Sequence, residues 1–124
     1  VTNEDFATDP YKTWYLIESN KYQAYWKFPI EKNPLKVFET VYNIIEDRKN
    51  NPKEGSYTNY LFDKGIDKIL KKVGEECTEI VIAAKNPDPE EIKYEISDFL
   101  YHVMVLMVEK GVTWEEITQE LAQR

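Results

Sequence analysis

Two acidic pairs occur in the sequence, one in the segment KKVGEECTEIVIAA and one in YEISDFLYH. Glu76 and Glu79 form the first pair, Glu95 and Asp98 the second, and each pair is spaced by one helical turn. Like charges at this spacing weaken a helix by roughly 0.2–0.5 kcal/mol per pair, so the pattern calls for a compensating interaction. Carboxylate oxygens are preferred ligands of Mg²⁺. The spacing therefore predicts a magnesium site built from these four acids.

The alternative explanation is that these acidic side chains lie on helix faces that are exposed to water. That explanation suits Glu90, Glu91, Glu115 and Glu120. At about 100° per residue, the two acidic pairs instead lie beside the predicted apolar stripes. Glu75 falls almost opposite the stripe of its helix. Spacing alone leaves both explanations open.

Basic residues precede the first acidic pair. Lys64, Lys68 and Lys72 recur at every fourth position and share a predicted helix face with Glu79. Cations beside a metal site suit a polyphosphate substrate, whose charge a single ion does not neutralise. Salt bridges between residues i and i+4, such as Lys72 to Glu76, explain the same spacing. Arg48, near the end of an earlier predicted helix, is a weaker candidate for substrate binding, since it also suits the helix dipole.

His102 and Cys77 are the only histidine and the only cysteine. We expect His102 to be a hydrogen-bonded residue at the edge of the core rather than a metal ligand or a base. Cys77 lies on an apolar stripe and is expected to be a small core residue. One cysteine excludes an intramolecular disulfide and a zinc site of the cysteine type, and it favours a reducing cytoplasm.

Composition narrows the class of protein. The chain has 124 residues, which suits one domain, and its net charge of −7 argues against nonspecific binding to nucleic acid or anionic membranes. No apolar run reaches the ~18 residues of a membrane span. The opening segment VTNEDFATDP is acidic and polar, unlike a secretory signal. A cytoplasmic protein is the expectation.

The apolar periodicity predicts an all-α fold. Helices are expected over residues 34–49, 59–85, 89–110 and 114–123. The short link NPDPEE between the second and third should fold them into an antiparallel hairpin. Residues 1–33 are rich in aromatic side chains and are predicted to be a separate extension, either a β-hairpin or a packing flap. The helical domain is then residues 34–124.

Apolar residues define the predicted buried faces of the two long helices. The second helix carries a stripe of Phe62, Ile66, Ile69, Val73, Cys77, Ile80 and Ala84. The third carries Ile92, Ile96, Phe99, Val103, Leu106 and Met107, with a second face of Leu100, Met104 and Val108. One hairpin cannot cover both faces, so we expect the first helix and a second subunit to cover the rest.

The segments EGSYTNYLFDKGIDKILKKVGEECTEI and EISDFLYHVMVLMVEKGVTWEEI resemble the phosphoribosyl-ATP pyrophosphohydrolases of histidine biosynthesis. The resemblance spans about residues 35–124 and belongs within the all-α nucleoside triphosphate pyrophosphohydrolases, whose mark is an E-x-x-E pair followed by an E-x-x-D pair. It implies a homodimer that uses Mg²⁺ and water to convert phosphoribosyl-ATP to phosphoribosyl-AMP and pyrophosphate.

The resemblance also implies roles for individual residues. Glu76, Glu79, Glu95 and Asp98 would hold Mg²⁺ and carry catalysis, with Glu75 as a helper. Lys64, Lys68, Lys72 and Arg48 would bind the triphosphate. Two alternatives are a related enzyme that acts on other nucleoside triphosphates and a helical dimerisation module without activity. Residues 1–33 match nothing in the family and lack the Cys and His ligands of the cyclohydrolase domain that precedes this enzyme on some chains.

Overall fold

A computed structural model describes residues 33–124, and this part of the chain contains helices and no strand. The five helices are α1 (Lys36–Asn50), α2 (Tyr57–Lys64), α3 (Ile66–Ala83), α4 (Pro89–Lys110) and α5 (Trp114–Ala122). The all-α prediction is confirmed. The predicted β-hairpin lies outside the described residues. No helix in the described range is long and apolar enough to cross a membrane.

The ends of α4 and α5 follow local signals in the sequence. Asp88 caps α4 by accepting a hydrogen bond from the backbone N–H of Glu90 at 3.0 Å. Gly111 ends that helix in the left-handed conformation, with φ of 73°. Thr113 and Glu116 then form a capping box at the start of α5, with bonds of 3.0 and 3.2 Å. Strong caps therefore made these boundaries predictable.

The predicted helix over residues 59–85 is wrong, because it is two helices separated by Gly65. The backbone there has φ of 90° and ψ of −173°, a conformation almost restricted to glycine. Phe62 and Ile66 keep helical spacing across this residue. Apolar periodicity therefore continued through the break and concealed it.

The chain divides into two compact units, one ending at Tyr60 and one comprising Leu61–Arg124. In the first unit, hydrogen bonds from the side chain of Asn59 hold the loop after α1 in place. Its Nδ2 donates to the carbonyl oxygen of Arg48 at 2.7 Å, and its Oδ1 accepts from the backbone N–H of Lys53 at 2.8 Å. All three residues joined by these hydrogen bonds lie within the first unit.

In the second unit, α3 and α4 pack against each other as a hairpin. The five residues between Ala83 and Pro89 allow only a reversal of direction, so the helices run antiparallel, as predicted. The buried apolar side chains of these two helices are Ile69, Ala83, Met104, Val105, Met107 and Val108. This hairpin positions the acidic residues.

The predicted buried faces are partly wrong. Ile66, Cys77 and Ala84 of the α3 stripe are exposed, as is Ile96 of α4. Ile69 is buried as predicted, but the other buried residues of α3 are Glu76 and Ala83, so the buried positions recur every seventh residue. The apolar row that dominates the sequence pattern is therefore not the face that this chain buries, and the buried face includes an acid.

Candidate functional site

Glu76 of α3 and Asp98 of α4 lie side by side within the hairpin. They are seven and nine residues from the link, so antiparallel packing brings them to the same level. Only 5% of Glu76 and 9% of Asp98 are exposed, and one carboxylate oxygen of each lies within 4.8 Å of the other. The two acids were predicted to border the core, and they are largely buried.

The surroundings raise the pKa of Glu76 above its usual range. Burial has the largest effect, followed by the hydrogen bond to Asp98 and the negative charge of Asp98, while Lys72 acts in the opposite direction. Without a metal, Glu76 therefore keeps its proton to a higher pH than an exposed glutamate does. A divalent cation replacing that proton would allow both carboxylates to ionise, so the donor set fits the predicted Mg²⁺.

His102 adjoins this pair from one turn further along α4. Its Nδ1 lies 2.8 Å from the carbonyl oxygen of Asp98 and 3.5 Å from Oδ1 of the same residue. Because a carbonyl only accepts hydrogen bonds, Nδ1 carries the proton and donates it. The ring is 1% exposed, so it is more deeply buried than the predicted edge position. Its expected hydrogen bond is confirmed.

Glu76, Asp98 and His102 each place one potential ligand atom within 4.8 Å of the others, and they are the only such group among residues 33–124. Sequence reasoning did not assign His102 to the group. The signal was its spacing of four residues from Asp98, which places both side chains on one face of a helix.

Lys72 supplies the nearest recorded positive charge to Glu76. Its Nζ lies 3.4 Å from Oε1 of Glu76 and 3.4 Å from Oε2 of Glu75. Lys71 is a looser partner of Glu75, at 4.0 Å. The salt-bridge explanation of the Lys72 spacing is thus confirmed for the metal-free chain. These bonds leave open a role for the same ammonium group in substrate binding.

Other predicted site residues lie outside this group. Glu79 is exposed and Glu95 is half-buried, and neither belongs to the trio. Lys68 is a half-buried residue of α3, whereas Lys64 ends α2 and so is not on the same helix, contrary to the prediction of a shared face. Their functional roles remain predictions.

Arg48 belongs to the first unit, which ends at Tyr60. It is buried, and its Nη1 lies 3.5 Å from Oδ2 of Asp47. Its backbone carbonyl accepts the hydrogen bond from Asn59, so the end of α1 is held in place. Its predicted contact with substrate remains a prediction.

The sequence model of the family described as phosphoribosyl-ATP pyrophosphohydrolase matches residues 38–124, which include every residue of the site. The chain belongs to this family. The match also covers the capped ends of α4 and α5 and the loop fastened by Asn59. The residues before position 38 lie outside it.

Individual relatives agree with the family match. A protein of Lactiplantibacillus plantarum named phosphoribosyl-ATP pyrophosphatase is 62% identical over 86 residues, which are 69% of this chain and 81% of the relative. A protein of the same name from Streptococcus thermophilus is 62% identical over 71% of this chain and 85% of the relative. The histidine biosynthesis bifunctional protein HisIE of Thermoanaerobacter pseudethanolicus is 59% identical over 73% of this chain, but this is only 42% of its own length.

Proposed function

We propose that this chain hydrolyses phosphoribosyl-ATP to phosphoribosyl-AMP and pyrophosphate in a reaction that depends on Mg²⁺. Membership of the family and relatives named for this activity support the substrate and the reaction. The observation that carries the mechanism is the buried carboxyl pair of Glu76 and Asp98, which lies within the matched region.

The acids are the proposed holders of the ion. Glu76 and Asp98 are the central ligands, and Glu79, Glu95 and Glu75 contribute from the neighbouring turns. When bound, Mg²⁺ neutralises phosphate oxygens and lowers the pKa of a bound water. The carboxylates would orient a water molecule and the phosphate chain toward each other, so that the water attacks one phosphoanhydride bond and pyrophosphate leaves.

Basic side chains are the proposed binding groups for the triphosphate. Lys72 is the strongest of them, because its ammonium group already lies 3.4 Å from Glu76. Lys64, Lys68 and Arg48 complete the proposed set. Positive charge that is already in place favours the transition state without a cost of reorganisation.

A comparison of substrates tests the reaction. Release of pyrophosphate is measured with phosphoribosyl-ATP, ATP, dUTP and dCTP at equal Mg²⁺ concentrations. We expect the highest kcat/KM for phosphoribosyl-ATP, whereas a preference for a free nucleotide would indicate the related cleanup activity.

Site variants then separate an enzyme from a dimerisation module. Glu76→Gln and Asp98→Asn should abolish turnover while circular dichroism remains helical, and Glu115→Gln, which changes an exposed acid of α5, should retain it. Equal, background-level turnover in the wild type and all three variants would support the module instead.

We also propose that the active form is a homodimer. α3 carries a row of apolar residues at alternating spacings of four and three, the pattern of a coiled-coil seam. The row consists of Ile66, Leu70, Val73, Cys77, Ile80 and Ala84. Leu70 is 49% exposed, and Ile66, Cys77 and Ala84 are also exposed. A second copy of α3 is the occupant that matches this row.

Charge favours an antiparallel pair. Asp67 near the start of α3 and Lys85 just after its end lie on the same flank of the apolar row. Antiparallel α3 helices related by a two-fold axis near Glu75 would place Asp67 beside Lys85 of the partner subunit, twice by symmetry. A parallel pair would not bring these two opposite charges together.

A further inference from the structure

The imidazole of His102 is the one buried titratable ring beside the carboxyl pair among the described residues, and the proposed reaction assigns it no task. It follows Asp98 by one turn of α4 and is 1% exposed. The nearby charged and titratable groups recorded in this cluster are Glu76 and Asp98, with Lys72 beyond Glu76. A leucine would fill a similar volume without burying a polar atom, so an imidazole at this position calls for a chemical explanation.

The hydrogen bond of the ring fixes its orientation. The 2.8 Å bond from Nδ1–H to the carbonyl oxygen of Asp98 sets both the tautomer and the plane of the imidazole. The same nitrogen lies 3.5 Å from Oδ1 of Asp98, so the N–H group that donates to the backbone is also close enough to attract that carboxylate. Since Nδ1 is protonated, it does not offer a lone pair to a metal ion.

We propose that His102 is a positioning residue that holds the Asp98 carboxylate toward Glu76, in the orientation that receives the divalent cation. The proposal rests on the proposed function, because it assumes that these acids bind a metal. Without the ring, the carboxylate of Asp98 could rotate away from Glu76, and metal binding would have to restrain it. Residues that orient metal ligands in this way typically contribute tenfold to hundredfold in affinity.

Three variants isolate the contribution of the N–H group. His102→Asn can place an amide N–H where Nδ1 stands, His102→Gln places its amide one bond further along, and His102→Leu provides no donor. Mn²⁺ serves as the probe, because free Mn²⁺ is counted directly by electron paramagnetic resonance without any substrate. Thermal melts in EDTA identify which variants remain folded. If His102→Leu is unfolded, His102→Gln is used as the test variant in its place.

We expect His102→Leu and His102→Gln to raise the Kd for Mn²⁺ by about tenfold or more, and His102→Asn to stay within about threefold of the wild type. The Mg²⁺ concentration that gives half-maximal turnover should also rise in His102→Leu and His102→Gln and stay near the wild-type value in His102→Asn. At saturating Mg²⁺, kcat should return to the wild-type value. A wild-type Kd in the Leu and Gln variants would overturn the positioning role but leave the proposed function intact, and so would an Asn variant as weak as Leu. If the wild type binds no Mn²⁺ and shows no activity, the proposed function itself fails.

Discussion

The buried carboxyl group of Glu76, beside Asp98, makes the metal-free protein sensitive to pH. The pKa of Glu76 in the folded chain is raised above its usual value of 4.5. A raised folded pKa contributes stability that is fully present below the unfolded pKa and is lost as pH rises through the folded pKa. The contribution of Glu76 to stability is therefore lost progressively as pH rises above about 4.5. Once Glu76 is ionised, its negative charge repels that of Asp98.

The first prediction concerns Glu76→Gln in EDTA. The amide keeps a hydrogen bond to Asp98 but cannot ionise, so the variant should be more stable than the wild type at pH 8. The difference between them should shrink as pH falls towards 4.5. Urea unfolding of both proteins across this range measures it, with Glu115→Gln as the control that follows the wild type. Parallel stability profiles for the wild type and Glu76→Gln would contradict the prediction.

Adding Mg²⁺ should reverse the order of stabilities. An ion that binds only the folded state stabilises it by mass action, and that gain requires the carboxylate that Glu76→Gln lacks. We expect the Tm of the wild type at pH 8 to rise with Mg²⁺ while the Tm of the variant stays constant. Equal shifts in both proteins would mean that the ion binds elsewhere.

Lys72 serves as a counter-charge to Glu76 while no metal is present. Its ammonium group lies 3.4 Å from Glu76 and from Glu75, and 20% of its side chain is exposed. Lys72→Met should tighten metal binding at pH 8, because a competing positive charge is removed. The same change should lower kcat/KM by about tenfold or more, because the triphosphate loses a neutralising group.

Lys71→Met is the matched control for Lys72→Met, since Lys71 is an exposed neighbour recorded 4.0 Å from Glu75. Mn²⁺ titration and steady-state kinetics at saturating Mg²⁺ measure both effects. If Lys72→Met weakened Mn²⁺ binding, the ammonium group would be supporting the site rather than competing with the ion.

At the scale of elements, Gly65 determines where α3 starts. Its backbone, with φ of 90°, strongly disfavours any other residue, and the cost of such strain is about 1–3 kcal/mol. Gly65→Ala should therefore lower the free energy of unfolding by that amount. Gly74→Ala is the control, because Gly74 lies inside α3 and no atom lies within 4 Å of an added Cβ. Denaturant unfolding of both variants should show a loss for the first and none for the second.

Some elements were predictable because their signals are local. A cap needs only two or three neighbouring residues, so Asp88, Gly111 and Thr113 made both ends of α4 and the start of α5 predictable. Gly65 gave no such signal, since a glycine inside a periodic segment is compatible with either a continuous helix or a break. The choice depends on a backbone conformation that periodicity does not encode.

The site was predictable to the extent that spacing on a helix determines it. The helix hairpin and the acidic spacings placed Glu76 and Asp98 together. Their burial was not predicted, because the apolar row containing Ile66 and Cys77 gives the stronger period and so predicts the core face. A chain that assembles with a partner carries two apolar faces, and one sequence does not state which is internal.

At the scale of the whole molecule, the apolar row on α3 is the feature that distinguishes a monomer from the proposed dimer. Exposed apolar residues occur singly on most proteins and carry little information. Six apolar residues at alternating spacings of four and three form a continuous stripe along α3, and four of the six are exposed. Leu70 lies within that stripe, whereas Ile82 projects from another side of α3 and is even more exposed, at 59%.

These two residues allow a matched test of the dimer. Leu70→Asp places a charge in the proposed seam, where dimerisation would bury it close to its symmetry mate, so the variant should be a monomer by light scattering. Ile82→Asp makes the same chemical change outside the seam and should remain a dimer. If the wild type is a monomer, or if both variants stay dimeric, α3 does not form the contact between copies. If only Leu70→Asp dissociates, the apolar row on α3 forms the contact between the two copies. The same row gave the apolar period that concealed the internal core in the sequence.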